Sequence, residues 1–465
     1  MTLLSTAPTP AAATTLTALG AGRPGAAEAG ITELDGRTVV LFRVASPTSA
    51  DRDGESEAEA VERALRLAGE LGVPVVGVIH SVGVDPRSVA GLAAWGRVAH
   101  RAVGLSGVVP LLLAVTGPCH GGLAPLLGLA DHVVLTSEAT AYINGPAAVA
   151  AISGLHVSPS GLGGSWAHAS ATGLASLVVD DEAEALAAIS ALLSHLPDNW
   201  LADPPSAPTA DPAERPSTTA AALVPTDPRS AYDVRAVLAD VVDRDTLLEV
   251  HGDHATNLVT AYARVGGRPV AIVANQPLYR AGTLDIKASS KAARHVQAAD
   301  AANLGILTVV DTPGFEPGRD LEWQGMIRHG AELVHAYAAA TVPRVCVILR
   351  KAYGGAYIVM DSKEMGSDVV LAWPRAEIAV MGAPGAVAVL NRREIADSDD
   401  AAATRARLED DYRRQFCTPR IAAERGYVDE VIDPDATRRH VVAAFARLAT
   451  KRAALPARRH SNTPL

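Results

Sequence analysis

Short patterns in the first half of the chain recur in the same order in the second half. Each pattern is an apolar run that stops at a glycine turn, or a glycine-rich stretch, and each lies 231 to 237 positions before its partner. One match between apolar runs would carry little weight, but three that keep order and spacing indicate an internal duplication. The matching pairs are Val73–Gly83 with Leu304–Gly314, Gly121–Gly122 with Gly354–Gly355, and Gly145–Val149 with Gly382–Val387.

A segment rich in Pro, Ala, Ser and Thr, residues 199–231, separates the two copies. Its prolines favour an extended linker over a helix. The chain is therefore predicted to contain an N-terminal domain over 31–198 and a C-terminal domain over 232–455. The composition of residues 1–30 predicts a disordered segment, and residues 456–465 are expected to form a tail.

Buried strands alternate with amphipathic helices in both copies. In the first copy the strand VVLFRVA (39–45) precedes a helical stretch, ESEAEAVERALRLAGEL (55–71), and a second strand, PVVGVIHS (74–81). Continuous apolar strands separated by helices predict an α/β fold in which both faces of each sheet are covered. In such folds ligands bind at the carboxyl ends of the strands, where the glycine turns of this chain lie.

Composition excludes several classes of function. The 465 residues carry a formal net charge of −10 and contain no long basic block, so neither nucleic acid nor a membrane surface is expected as a partner. The three cysteines, Cys119, Cys346 and Cys417, lie far apart, which excludes a zinc ribbon and fits a reducing cytoplasm. The sequence also lacks a signal peptide and a run of ~20 apolar residues. We therefore expect a cytoplasmic protein without a metal.

Three small residues in a row, Gly354, Gly355 and Ala356, stand between an apolar run and a predicted helix. Without bulky side chains a ligand can reach the backbone amides directly. If a helix begins here, its first N–H groups have no partner within the helix and its positive end faces the ligand. This arrangement suits an oxygen atom that gains negative charge during a reaction.

The turn Pro313-Gly314 is open to two interpretations. It either lines the same site or simply ends the preceding strand.

Ordered motifs between residues 117 and 434 carry a family resemblance. In the first copy they include GPCHGGLAP (117–125), and in the second copy VANQP (273–277), VVDTPGFEPG (309–318), RKAYGGAYIVM (350–360) and AWPRAEIAVMGAPGAV (372–387). With these motifs the chain resembles the carboxyltransferase (beta) subunit of biotin-dependent acyl-CoA carboxylases of the propionyl-CoA/acetyl-CoA type, within the crotonase-like superfamily.

The resemblance implies a fold of two tandem crotonase-like (ClpP/crotonase) domains related by duplication. It implies an acyl-CoA, a coenzyme A thioester, bound mainly on the N-terminal domain and carboxybiotin bound mainly on the C-terminal domain. Members of the family work as hexamers with active sites between chains, so a homo-oligomer is expected. Because no AMKM-like biotinylation motif occurs in this sequence, the biotin must be carried on a separate subunit. A biotin carboxylase and a biotin carrier are the implied partners.

The resemblance also assigns roles to residues. Gly121 and Gly122 would cradle the thioester oxygen, and Gly355 and Ala356 the carbonyl of biotin, as two oxyanion holes built from backbone amides. Ile358 takes a place beside the acyl pocket where the family often has an acidic residue, so it is expected to alter the accepted acyl length. The full set of implied substrate-binding residues is Gly83, Pro146, Pro313, Gly314, Phe315, Tyr353, Ile358 and Gly382.

Four basic residues have two possible roles. Lys291, Arg294, Arg350 and Lys351 could hold the phosphates of coenzyme A or be ordinary solvated charges, and the solvated interpretation is favoured for each.

The function that the resemblance implies is transfer of a carboxyl group from carboxybiotin to the α-carbon of a short-chain acyl-CoA, through an enolate held by the two oxyanion holes. Two further functions stay open. After the strand that ends near Ser81, the family usually has an SGGARIQEG-like stretch, whereas this chain reads SVGVDPRSV (81–89). The altered loop favours, as an alternative, a biotin-independent decarboxylase of malonyl-type thioesters in a secondary-metabolite (polyketide) pathway. A non-catalytic scaffold subunit is the third hypothesis, and the intact glycine pairs in both copies argue against it.

Overall fold

The strands of the chain form two separate sheets. A computed structural model describes residues 17–18, 27–46, 54–85 and 87–464. The first structural unit extends to Pro205 and also takes in the short segments Val250–His254 and Ala301–Asn303. The second unit comprises the rest of the chain from Ser206 onward.

The first sheet has the strand order β1-β2-β3-β4-β5-β6-β8, and β7 pairs with the end of β5. Strand β2 runs antiparallel to β3, and β3, β4, β5, β6 and β8 are parallel. The strands are β1 (Thr17–Ala18), β2 (Ala27–Leu34), β3 (Arg37–Ser46), β4 (Val75–Ser81), β5 (Leu111–His120), β6 (His132–Thr136), β7 (Thr140–Tyr142) and β8 (Leu177–Val179). The helices are α1 (Glu55–Leu71), α2 (Val89–Leu105), α3 (Pro125–Leu129), α4 (Pro146–Ser153), α5 (Pro159–Gly163) and α6 (Glu182–Leu193).

The second sheet has the order β16-β14-β13-β12-β11-β10-β9, and β15 pairs with the end of β13. Its strands are β9 (Leu248–Val250), β10 (Leu258–Val265), β11 (Arg268–Asn275), β12 (Gly305–Thr312), β13 (Arg344–Tyr353), β14 (Val369–Ala372), β15 (Glu377–Ala379) and β16 (Glu430–Val431). Its helices are α7 (Thr218–Leu223), α8 (Val234–Val241), α9 (Ile286–Ala301), α10 (Arg319–Trp323), α11 (Met326–Ala339), α12 (Gly354–Val359), α13 (Ala383–Leu390), α14 (Arg392–Ala396), α15 (Ala401–Tyr412), α16 (Pro419–Glu424) and α17 (Thr437–Arg447).

The two sheets share one topology. In each sheet an antiparallel hairpin (β2–β3 or β10–β11) leads into parallel strands. The end of one parallel strand, β5 or β13, also pairs with a short strand, β7 or β15. Both hairpins close through two residues with positive φ, Asp35-Gly36 in the first and Gly266-Gly267 in the second. Such turns match the right-handed twist of the strands. The predicted α/β class and the predicted duplication are thus confirmed.

Two segments differ from the sequence-based expectation. The predicted disordered segment 1–30 overlaps strand β2, which begins at Ala27 and pairs along its length with β3. Its sequence, AEAGITEL, lacks an apolar run, so the pairing with β3 rather than intrinsic propensity explains the strand. Of residues 1–26, only Thr17 and Ala18 belong to the described part of the chain.

The predicted linker 199–231 is not extended throughout. It contains helix α7, in which Ala220 is fully buried, and Ser217 immediately before the helix is fully buried as well. Ala220 packs in the core of the second unit and so ties the helix to it.

No helix in the described ranges combines the length and apolar character needed to cross a membrane.

A buried histidine in the second unit predicts a specific dependence of stability on pH. The ring of His295, in α9, packs against that of Tyr262 at a tilt of 54°, and its Nε2 lies 3.1 Å from the carbonyl oxygen of Ala261. Burial lowers the pKa of His295 from 6.5 to about 4. Between pH 6.5 and about 4, His295 is therefore protonated in the unfolded chain but neutral in the folded chain. The free energy of unfolding consequently falls as the pH drops through this range.

We expect His295→Gln to reduce the loss of unfolding free energy between pH 6.5 and 4 by up to about 3 kcal/mol. The glutamine amide can still donate to the carbonyl of Ala261, but it does not titrate. Denaturant unfolding at several pH values measures the slope. His156→Gln, at an exposed histidine, is the matched control. An unchanged slope in His295→Gln would contradict the assignment.

Candidate active site

In the first unit, strand β5 turns into a helix within a single residue. Strand β5 ends at His120 with extended backbone angles (φ −119°, ψ 154°), and Gly121 follows with φ 68° as the first residue of a 3-10 helix, Gly121–Leu123. A residue with a side chain is strained at such a φ, so this turn requires glycine.

The second unit repeats this junction. Strand β13 ends at Tyr353 (φ −112°, ψ 142°), and Gly354 opens α12 with φ 59°. The repeat therefore matches Gly121 with Gly354 and the following residue in one copy with that in the other. In both copies the second residue of the helix is an exposed glycine and the third residue is buried. The sets assigned from the resemblance, Gly121/Gly122 and Gly355/Ala356, are thus one residue out of register with each other.

The exposed glycines leave their amides open beside apolar side chains. The first N–H groups of a helix have no acceptor within it. A Cβ added at Gly122 would lie 3.6 Å from Leu92 and 3.8 Å from Trp95, and one added at Gly355 would lie 3.3 Å from the Phe315 ring. Each glycine therefore has a nonpolar neighbour on one side and solvent on the other, where an oxygen atom of a ligand can approach the amides.

The turn after β12 lies beside the junction of the second unit. Gly314 has φ 137°, and its carbonyl accepts a hydrogen bond from the amide of Leu284, while the amide of Glu316 donates to the carbonyl of Leu284. This pairing holds Phe315 so that its ring lies against both Gly330 and Gly355. The structure thus brings Pro313, Gly314 and Phe315 next to the start of α12.

The corresponding turn of the first unit is built around Gly83. This residue has φ 87°, and a Cβ there would lie 2.7 Å from the carbonyl oxygen of His120. Its amide donates to Ser81 Oγ over 3.2 Å. Within residues 81–85, Gly83 alone has a positive φ. Val82 therefore does not occupy the glycine-only conformation, and the altered loop keeps glycine where the backbone requires it.

A second helix begins beside each junction at a glycine that the repeat also matches. Gly145 precedes α4, whose first residue is Pro146, and Gly382 precedes α13. A Cβ at Gly382 would lie 3.0 Å from the ring of Tyr353. In the second unit Tyr353 and Gly382 are therefore in contact.

Ile358 lies on α12, three residues after Gly355, and half of its surface is exposed. Residues spaced by three share one face of a helix. The side chain is therefore on the side of α12 that carries the exposed glycine.

Two of the four candidate phosphate ligands are buried and bonded to other groups of the protein. Arg350 is buried and forms an ion pair with buried Asp311, and Lys291 is buried and donates to the carbonyl of Leu258 over 2.7 Å. The favoured interpretation of these two as solvated charges is wrong. Arg294 is exposed and Lys351 is half-buried, and burial lowers the pKa of Lys351.

The sequence analysis missed two polar residues at the junctions, Thr140 and Glu377. Both begin a short strand that pairs with the end of a central strand, Thr140 beside β5 and Glu377 beside β13. Glu377 lies within the motif at 372–387 but was given no role, and Thr140 lies in none of the quoted motifs, although their matched place in the duplication could have singled both out.

Comparison with known proteins supports a single family. The sequence model of the carboxyl transferase domain matches residues 12–463. The chain is 43% identical over 435 residues to the propionyl-CoA carboxylase carboxyltransferase subunit of Haloferax mediterranei, covering 93% of this chain and 84% of the relative. It is 40% identical to the methylmalonyl-CoA decarboxylase subunit alpha of Propionigenium modestum, covering 93% and 84%.

A solved structure has a similar fold over nearly the full length of this chain. The transcarboxylase 12S crystal structure, described as a hexamer assembly with methylmalonyl-coenzyme A bound, superposes with a TM-score of 0.91 at 40% identity, covering 95% of this chain and 85% of that one. Its two-domain crotonase-like fold corresponds to the two sheets described above. The chain therefore belongs to the carboxyl transferase domain family of enzymes.

Proposed function

We propose that the chain is the carboxyltransferase subunit of a biotin-dependent acyl-CoA carboxylase and moves a carboxyl group from carboxybiotin to the α-carbon of a short-chain acyl-CoA. The observation that carries the proposal is the strand–glycine–helix junction present in both units. It occurs in a chain whose relatives are named for propionyl-CoA and methylmalonyl-CoA.

The junction of the first unit serves the acyl-CoA. When the α-carbon of the thioester loses its proton, negative charge moves onto the thioester oxygen. The amides of Gly121 and Gly122 donate hydrogen bonds to this oxygen and stabilise the enolate. Each such donor contributes about 3 kcal/mol to transition-state stabilisation in measured cases. The enolate carbon then forms the new bond to the carboxyl carbon.

The junction of the second unit serves biotin. Biotin supplies the carboxyl group from a ureido nitrogen, which can accept the α-proton once the carboxyl group has left. The amides of Gly355 and Ala356 would donate hydrogen bonds to the ureido oxygen of bound biotin and stabilise negative charge on it. The exposure of Gly355 beside the Phe315 ring supports the approach of such a flat ring to this turn, while Ala356 is buried.

The proposal implies partners. Biotin reaches the site on a carrier subunit that a biotin carboxylase loads, and the chain assembles as a homo-oligomer, as the hexameric transcarboxylase 12S does. Such an assembly would work in the cytoplasm.

The reverse reaction tests the proposal without partner subunits. The purified full chain is incubated with methylmalonyl-CoA and free biotin, and propionyl-CoA is measured by chromatography. We expect propionyl-CoA to form only when biotin is present. Formation at the same rate without biotin would replace the proposal by the biotin-independent decarboxylase. Absence of turnover in both reactions would favour a scaffold.

The 40% identity to a methylmalonyl-CoA decarboxylase subunit keeps the decarboxylating direction open as a second candidate. The same two junctions would serve it, because the same enolate forms when the thioester loses its carboxyl group. Incubating the full chain, its biotinylated carrier and its biotin carboxylase with ATP, bicarbonate and propionyl-CoA distinguishes the two. Net methylmalonyl-CoA formation supports the carboxylase, and its absence with intact reverse activity supports the decarboxylase.

Substrate choice is expected to change at Ile358. Its half-exposed apolar side chain favours acyl chains that contribute further methylene groups, and one methylene is worth about 1–3 kcal/mol in an apolar pocket. Ile358→Asp is therefore expected to lower the ratio of kcat/KM for butyryl-CoA to that for acetyl-CoA by about tenfold. Ile358→Leu is the matched control and should leave the ratio nearly unchanged. Equal ratios in all three proteins would contradict this role.

A further inference from the structure

A side-chain hydrogen bond lies in the equivalent place at each strand-to-helix junction. In the second unit the hydroxyl of Tyr353 donates to the carboxylate of Glu377. In the first unit Nε2 of His120 lies 3.0 Å from Thr140 Oγ1. Tyr353 and His120 are the last residues of their strands, immediately before the positive-φ glycines.

The strand register makes the two bonds equivalent. Glu377 is paired with Lys351, two residues before Tyr353, and Thr140 is paired with Pro118, two residues before His120. Diagonal neighbours at this spacing are within reach of long or aromatic side chains. Both copies therefore have a side-chain hydrogen bond at this position, but it joins a phenol and a carboxylate in one copy and an imidazole and a hydroxyl in the other.

This contact bears on the amides that face the ligand. The helix begins at the residue directly after the strand ends, so the orientation of Tyr353 or His120 influences the peptide planes that follow. The hydrogen bond holds the side chain in one rotamer and so restricts rotation of the backbone at the junction.

Tyr353 and His120, the anchors of the two junctions, also pack near the start of a second helix, α13 and α4 respectively. The ring of Tyr353 contacts Gly382, which caps α13. His120 stacks on Tyr142 with 3.9 Å between ring centroids and 16° between planes. A Cβ at Gly145, which caps α4, would lie 3.3 Å from Tyr142. In both units the anchor thus joins the amide-bearing turn to the start of the next helix.

We propose that Tyr353–Glu377 and His120–Thr140 are two positioning pairs, each dedicated to one substrate. Tyr353–Glu377 orients the amides of Gly355 and Ala356 towards the ureido oxygen of biotin, and His120–Thr140 orients those of Gly121 and Gly122 towards the thioester oxygen. Neither pair touches a reacting atom. This inference rests on the proposed function, because it assigns each pair to one of the two proposed oxyanion holes.

The Tyr353–Glu377 pair has the stronger chemistry. Burial and the hydrogen bond to Glu377 raise the pKa of Tyr353, so the phenol stays protonated and donates to a charged acceptor. Hydrogen bonds to a charged group are roughly twice as strong as neutral ones. We therefore expect the larger single-variant effect on the biotin side.

The test compares isosteric variants in the methylmalonyl-CoA and free biotin assay on the full chain. Tyr353→Phe removes only the hydroxyl, and Thr140→Val removes only the hydrogen-bonding group. Tyr353→Phe is expected to raise KM for biotin about tenfold and leave KM for methylmalonyl-CoA within about twofold, whereas Thr140→Val is expected to raise KM for methylmalonyl-CoA about fivefold and leave KM for biotin within about twofold. Thr140→Ser, which keeps the hydroxyl, should restore the wild-type values.

Matched controls separate positioning from a loss of stability. Tyr337→Phe removes a buried hydroxyl bonded to Thr308, and Thr136→Val removes one that donates to Val115, both away from the junctions. Changes in both KM values together, or changes no larger than in these controls, would overturn the inference while leaving the proposed function intact. A wild-type chain that transfers no carboxyl group would overturn the proposed function and the inference with it.

Discussion

Replacing Gly122 with valine is expected to lower turnover of methylmalonyl-CoA by a factor of about 10² to 10³, the usual effect of losing an oxyanion-hole donor. Gly122 is exposed and does not require a positive φ. Its added Cβ would be in ordinary contact with Leu92 and Trp95, at 3.6 Å and 3.8 Å. The fold therefore accepts the side chain, while the branched methyl groups occupy the space that the thioester oxygen needs.

The matched control is Gly128→Val in the neighbouring helix α3, where an added Cβ has no neighbour within 4 Å. Both variants should have a Tm close to that of the wild type, and only Gly122→Val should lose kcat/KM. An active Gly122→Val would contradict the assignment of this amide. Ala356→Val is a poorer test, because Ala356 is fully buried and the larger side chain would strain the core itself.

The sequence predicts well those features that depend on local glycines or on runs of apolar residues, namely the strand-to-helix turns and the buried strands. Gly121 and Gly354 could be found because a one-residue turn from strand to helix needs a positive φ, which few other residues tolerate. The duplicated sheet could be found because its central strands are fully buried and therefore continuously apolar.

The features that the sequence hides depend on partners distant along the chain. Strand β2 owes its conformation to β3 rather than to its own residues. Arg350 and Lys291 look like surface charges until the fold places Asp311 and the carbonyl of Leu258 beside them. Glu377 becomes meaningful only through the register that sets it beside Tyr353. Each depends on long-range pairing, which local composition does not encode.

Replacing Arg350 with methionine is expected to lower the free energy of unfolding by about 3–5 kcal/mol, since it leaves a buried carboxylate without its counter-charge. Arg350 Nε donates to Asp311 Oδ2 over 3.0 Å, and its Nη1 donates to the carbonyls of Asp227 and Ser230. The hydroxyl of Tyr232 donates to the same carboxylate oxygen over 2.8 Å. The variant therefore also releases the 227–232 segment from β13.

Denaturant unfolding measures this effect, with Arg375→Met, at an exposed arginine, as the matched control that should change stability by less than about 0.5 kcal/mol. A double-mutant cycle then identifies the cause. Asp311→Asn removes the charge but keeps an acceptor for Tyr232, so Arg350→Met/Asp311→Asn should lose less than the sum of the single variants, by about 1–3 kcal/mol. Additive losses would mean that the carbonyl contacts, rather than the ion pair, hold the segment.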